Sequence, residues 1–305
     1  MQICDQLTSD RPLALALGGF DGIHIGHVQV LRAVQTDPAL TPAVFTFRDL
    51  IPAVKHTRQL TSARQQHAQL AELGIARLYL ADFASLRDLT PEAFVRDILH
   101  RRLHARRVSC GFNYRFGCRG AGDSDALMRL CARYGIETAV AEPVTMDGAP
   151  VSSTRIRAAV ADGAMESAAR MLGRPYEIDF PVVHGRALGR TIGLPTINQP
   201  FPESFVLPKF GVYAAAVTID GRRYHAVTNI GVKPTVGADG PLAETCIAGY
   251  RGDLYGKCVP VQLLQFLRPE QKFDSIELLR QQITRDAAAA ERVLAQMGET
   301  NPINP

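Results

Sequence analysis

The sequence predicts two domains of different class: an α/β N-terminal half built on a doubly wound parallel sheet over residues 1–175, and an antiparallel β-barrel with a terminal helix over residues 176–305. Three observations carry this. Short apolar runs alternate with amphipathic segments through the first half, the rhythm of βαβ units. After Tyr176 the texture turns to glycine-punctuated, β-rich sequence with the hairpin signal Asp220-Gly221. A chain of 305 residues is long enough to bury two separate cores.

The elements follow in order. Leu13 to Leu17 is an all-apolar strand, a helix follows around Val28 to Val34, and Ala43 to Phe47 is the next strand. A helix near Ala63 to Leu73 leads to a strand at Arg77 to Leu80. Thr90 as N-cap and Pro91 at the first helical position open another helix. A strand at Arg107 to Cys110, a helix from Asp123 and a strand at Thr138 to Ala141 complete the sheet, and Ser152 opens one more helix. The boundary near residues 172–180 rests on the change of rhythm and on Gly173-Arg-Pro175. Beyond it, Tyr213 to Ile219 and Arg222 to Thr228 form a hairpin, Leu242 to Tyr250 and Val259 to Leu267 are further strands, and a polar helix runs from Ser275 to about Met297.

The formal charge of +4 is small and comes without a Lys/Arg block, so a nucleic-acid surface is not expected and small anionic substrates are. The six cysteines lack a CxxC pair or metal-ligand spacing, which reads as reduced thiols. The first residues lack a basic-then-apolar leader and no later run approaches a membrane span. A cytoplasmic enzyme acting on small molecules, without a membrane or nucleic-acid partner, is expected; nothing in the sequence sets the oligomeric state.

The segment Gly18, Gly19, Phe20, Asp21, Gly22, Ile23, His24, Ile25, Gly26, His27 lies where the first strand passes into the first helix. Backbone amides and the helix dipole favour a phosphate there, and glycines let it approach the backbone. His24 and His27, three apart, share one face of the opening turn and can donate to phosphoryl oxygens as charge develops. A glycine-rich turn with solvated histidines, or a metal site, is the alternative, though His-x-x-His supplies only two ligands where zinc takes three or four. Ser153, Thr154 and Arg155, within Ser152 to Arg157, would offer hydroxyls, amides and guanidinium groups to phosphates, or serve simply as a helix cap.

These residues resemble the nucleotidyltransferases with a His-x-Gly-His signature and a Ser-Thr-Arg phosphate loop. Within that group the chain is similar to the bacterial bifunctional riboflavin kinase/FMN adenylyltransferases, through Gly111 to Gly117, Val151 to Arg157 and Leu172 to Tyr176 as well. The resemblance implies ATP at the first signature and flavin near the Phe-Gly loop, with Asn113 and Arg115 on the substrate side. Many members follow Thr-Phe with a Pro-His-Pro-like turn. Here Thr46-Phe47 runs into Arg48-Asp-Leu-Ile51, removing a histidine near the substrate and offering Arg48 as a phosphate contact. Cys118 to Ala121 also shifts an arginine relative to many relatives.

In the second half, Val183 to Arg190, with Gly185, Gly189 and Arg190, reads as a flexible cover over phosphates. The Thr196 hydroxyl and Asn198 carbonyl just beyond it suit magnesium, although Pro-Thr-Ile-Asn can equally be a capped turn. The resemblance implies Mg-ATP binding at this signature and extends over Gly211 to Ala214, Asn229 to Thr235 and Gly252 to Gly256. It places the catalytic base at Glu244, in a context where Cys246 replaces the family's histidine, and puts Arg268, within Leu267 to Phe273, near the flavin or its phosphate.

The function expected is flavin cofactor synthesis with ATP as co-substrate and Mg²⁺ as cofactor: phosphorylation of riboflavin to FMN, then adenylylation of FMN to FAD. The alternatives are a riboflavin kinase with an inactive first half, motivated by Arg48 to Ile51, and a non-enzymatic flavin- or nucleotide-binding module.

Overall fold

A computed structural model describes residues 1–48, 57–185, 195–232 and 240–299. Its chain divides into two compact units, Met1–Ser153 and Thr154–Pro305.

The first unit is a six-stranded sheet of β1 (Gln2–Cys4), β2 (Leu13–Leu17), β3 (Thr41–Phe47), β4 (Arg77–Ala81), β5 (Ala105–Gly111) and β6 (Glu137–Ala141). The order is β1-β4-β3-β2-β5-β6 and every pairing is parallel. All of β2 is buried, which is why it is an unbroken apolar run. Strand alternation sends Leu13, Leu15 and Leu17 into a core with Phe45, Tyr79 and Phe94, and Ala14 and Ala16 into a second core with Val30, Leu31 and Leu78.

From β2 the chain passes through α1 (Ile25–Arg32) to β3 on one side, while β5 lies on the other. The strand order therefore reverses between β2 and β5, and the crevice beyond their carboxyl ends is where open α/β sheets take ligands. The expected helices appear as α1, α2 (Ala63–Glu72), capped reciprocally by Ser62 and Gln65, and α3 (Ser124–Ala132), capped by Asp123. Thr90 caps Pro91–Ala93 as anticipated, and that helix widens into a π-helix over Phe94–Arg102. The first helix begins at Ile25, earlier than its apolar periodicity suggests, because His24 itself is the N-cap.

Two helices, α4 (Ser153–Ala161) and α5 (Met165–Leu172), lead into the second unit. α5 buries Met165, Ala168, Met171 and Leu172 and ends at Gly173 with φ of 75°. It packs on β7 (Tyr176–Ile178) and β12 (Val261–Arg268), so this packing boundary precedes the change of texture near residue 175.

With β8 (Thr196–Pro200), β9 (Gly211–Ile219), β10 (Arg222–Val232) and β11 (Pro241–Ile247), these strands form an antiparallel sheet of order β8-β11-β10-β9-β12-β7. The β9–β10 hairpin turns on Asp220 and Gly221, both at positive φ, the conformation an Asp-Gly turn is chosen for. A bridge between Val183 and Asn198 joins the chain after β7 to β8, the opposite edge of the sheet, and so closes it. The terminal helix α6 (Ile276–Glu299) covers β9 and β10 through Ala290, packed with Val212, Ala214 and Val227. Thr196 to Asn198 is thus strand, because β11 pairs with it. The strand expected over Leu242 to Tyr250 ends at Ile247.

Candidate active sites

In the first unit, the β2-to-α1 connection is held from all sides. Phe20 and Ile23 take positive φ, and Gly22 between them does so at 85°. Gln66 donates through Nε2 to the carbonyls of Gly19 and Phe20, both at 3.1 Å, and the Thr46 hydroxyl donates to Gly19. The Asp21 carboxylate accepts from the Leu60 and Thr61 amides, and the Thr61 hydroxyl accepts from the Gly22 amide. Asp21 therefore braces the turn against the segment ahead of α2. Gly18 and Gly26 lie against aromatic rings, since a Cβ at either would sit 3.2 Å from the Phe20 or His24 ring. Ser153 donates to the Asp21 carbonyl at 2.8 Å. Thr154 and Arg155 follow it in the first turn of α4, at the start of the second unit.

His24 and His27 form a reciprocal cap. The His27 amide donates to Nδ1 of His24 at 3.2 Å, and the His24 amide donates to Nδ1 of His27 at 3.4 Å. Their rings stack 3.6 Å apart, with Phe20 edge-on to His27. Because both Nδ1 atoms accept, each neutral ring carries its proton on Nε2, and both rings are fixed as Nε2–H donors. A cavity of about 300 Å³ lies beside α1, lined by Gln29 and Ala33 with Ala139, Ala141 and Glu142 at the end of β6.

Beyond β5, the Phe-Gly loop is clamped by paired amides between Phe116 and Gly122, and Gly122 has no room for a Cβ against the Phe116 ring. Asn113 and Arg115 are exposed on it. Arg115 lies 3.8 Å from the Asp123 carboxylate, which is held below the usual range first by the Ala126 amide it caps and then by Arg115. Behind the loop Tyr114 stacks on Phe116, and burial keeps its phenol protonated. Arg48 pairs with Asp5 at 2.8 Å on the surface. Asp49 to Ile51 lie outside the described residues.

In the second unit the site is a product of register. Glu244 on β11 stands directly opposite Asn198 on β8 and Asn229 on β10. Directly paired residues share a face, so Asn198, Glu244 and Asn229 form one row across three strands. The neighbouring row on that face is Thr196, Cys246 and Val227. A cavity of about 270 Å³ opens there under α6, lined by Pro195, Val227, Cys246, Tyr250, Ile283 and Thr284. Asn198 is buried beneath Gly185, where any Cβ would collide with its amide.

Thr196 and Asn198 bring hard oxygen donors to one face, and no group of three His, Cys, Asp or Glu suited to a metal exists among the described residues. Such a donor set fits magnesium held partly by substrate phosphates rather than zinc. Gly189 and Arg190 lie outside the described residues.

Arg268 is held by the terminal helix. Its guanidinium is bound bidentately by Asp286 of α6, with the closest contact at 2.8 Å, and also donates to the Pro269 carbonyl. The pair is buried, and Gln282 also donates to Asp286. Sequence reasoning also gave no role to Asn229 or to Gln66, which the fold brings to the two sites.

Comparison with known proteins matches each half of the chain to a family. A family model described as FAD synthetase matches residues 6–155, and one described as riboflavin kinase matches residues 172–294. The bifunctional riboflavin kinase/FMN adenylyltransferase of Listeria monocytogenes is 33% identical, covering 95% of each chain. That of Pseudomonas fluorescens is 36% identical over 97% of this chain and 98% of its own. This chain belongs to the bifunctional riboflavin kinase/FMN adenylyltransferases.

It is accordingly an enzyme of flavin cofactor biosynthesis, with riboflavin kinase and FAD synthetase activities. A solved structure from Streptococcus pneumoniae, described as a macrolide-efflux protein, has the same fold, with a TM-score of 0.84 and 28% identity over 95% of this chain and 99% of that one. Among the described residues of this bifunctional enzyme, no helix is long and apolar enough to cross a membrane.

Proposed function

We propose that the two activities divide along the chain, with adenylyl transfer in residues 1–175 and riboflavin phosphorylation in residues 176–305. The in-register row Asn198, Glu244, Asn229 carries the kinase half of this reading. Glu244 accepts the proton of riboflavin's primary alcohol as its oxygen attacks the γ-phosphorus of ATP and ADP departs. Thr196 and Asn198 would hold Mg²⁺, which when bound neutralises phosphate charge. The cavity beside Cys246 and α6 offers an apolar wall for a ring system one register step from Glu244.

In the first unit no base is needed, because the attacking group is the FMN phosphate. Its oxygen bonds the α-phosphorus of ATP and pyrophosphate leaves. His24 and His27 donate from Nε2 to the phosphoryl oxygens as charge builds, and Gly18, Gly19, Phe20 and Gly26 let the phosphates approach the backbone. The cavity between α1 and the end of β6 suits the base of the nucleotide. Asn113 and Arg115 lie toward the flavin substrate.

A soluble enzyme confined to the cytoplasm, needing no nucleic-acid or membrane partner, fits this chemistry. Chromatography of products from riboflavin plus Mg-ATP tests it. FMN followed by FAD is expected; FMN alone would leave the first site without its activity, and neither product would leave a binding module.

A further inference from the structure

The segment after β12 reaches back onto the kinase row. The Glu270 carboxylate accepts from Nδ2 of Asn229 at 3.0 Å. It also lies against the backbone of Gly231, two residues further along β10 on the same face, where a Cβ at Gly231 would collide with it. A glycine there is what allows a carboxylate to rest on the strand. The segment is anchored just upstream, because Arg268 is fixed to Asp286 on α6 and itself holds the Pro269 carbonyl.

An asparagine amide has one acceptor oxygen and two donor hydrogens. With one hydrogen bound to Glu270, the amide cannot flip without losing that bond, so its oxygen and remaining hydrogen have fixed directions beside Glu244. Neighbouring side chains in such a row have Cβ atoms roughly 5 Å apart, close enough for a hydroxyl bound at Glu244 to touch Asn229 too.

Taking Glu244 as the kinase base, we propose that Asn229 is a further substrate-contacting residue of the kinase site, and that Glu270 is its positioning residue. Glu270 acts through the amide it orients and not through its charge. The Arg268–Asp286 pair then belongs to the same device, since it fixes the segment that carries Glu270.

Steady-state kinetics of the full chain tests this, with riboflavin phosphorylation and FMN adenylylation assayed separately. Glu270→Ala should lower kinase kcat about ten- to a hundredfold through lost orientation, with the KM for Mg-ATP within about twofold. Glu270→Gln keeps a side-chain acceptor and should stay within about threefold of wild type, which a role for its charge would not produce. Asn229→Ala should match Glu270→Ala, and the double variant should be no worse than either alone. Wild-type kcat in Glu270→Ala, equal loss in Glu270→Gln, or additive losses in the double variant would overturn the proposal. Glu244→Gln is run alongside: if it retains kinase activity, the assignment of the base fails instead. Adenylylation should be unchanged in every variant.

Discussion

On the proposed division of activities, the two halves of this enzyme hold ATP phosphates near an oxygen nucleophile by opposite structural means. The proposed site of the first unit lies on connections beyond parallel strands, where one contiguous stretch, Gly18 to His27, is held by braces such as Gln66 and Thr61. The proposed site of the second crosses antiparallel strands, where residues from β8, β10 and β11 meet only because their pairing is in register. A loop site can change residue by residue; a row site depends on the whole sheet, since a one-residue slip would send Glu244 to the opposite face.

The sharpest way to break this contrast is to silence each site alone. Glu244→Gln should lower riboflavin phosphorylation by about 10²- to 10⁴-fold, the range for a lost general base, while FMN adenylylation persists. His27→Ala should do the reverse, with about 10²- to 10³-fold loss of FAD formation for a missing transition-state donor. Loss of both activities in either folded variant would mean that the sites are not separate.

Stability should separate the units next. Asp286→Ala leaves Arg268 largely buried without its partner and should destabilise the second unit by about 3–5 kcal/mol in denaturant unfolding. A shift under about 1 kcal/mol, the value of a surface pair, would show that the pair is solvated. The ion pairs described in the first unit all have at least one well-exposed partner. The smallest effect belongs there: Arg48→Ala removes a pair with both partners exposed and should cost no more than about 1 kcal/mol. If it instead raises the KM for FMN severalfold, Arg48 contacts substrate.

The same contrast explains what the sequence made legible. The strand-to-helix turn of the first unit could be singled out because its glycines and histidines are consecutive and have few other reasons to occur together there. The parallel sheet was legible for a similar reason: Leu13 to Leu17 and its successors advertise burial on both faces. The bracing of Asp21 was not legible, because Leu60 and Thr61 come from a distant segment that its carboxylate reaches through the fold. Register is not written in any one strand, so the opposition of Asn229 and Glu244 could not be read. The ion pair that takes Arg268 spans from β12 to α6, and Asp286 has no local signal that distinguishes it from the other acids of a polar helix. The π-helix at Phe94–Arg102 was likewise invisible, since the apolar positions Phe94, Val95, Ile98 and Leu99 fit an ordinary α-helical stripe.

The bridge from Val183 to Asn198 gives the second unit one more property. Asn198 closes the sheet with its backbone, whose carbonyl accepts from the Val183 amide at 2.8 Å, and its side chain stands in the row with Glu244. A cation gripped by that side chain would therefore also tighten the seam of the barrel. Slower hydrogen exchange at the Val183 amide would then report nucleotide loading from inside the wall of the fold.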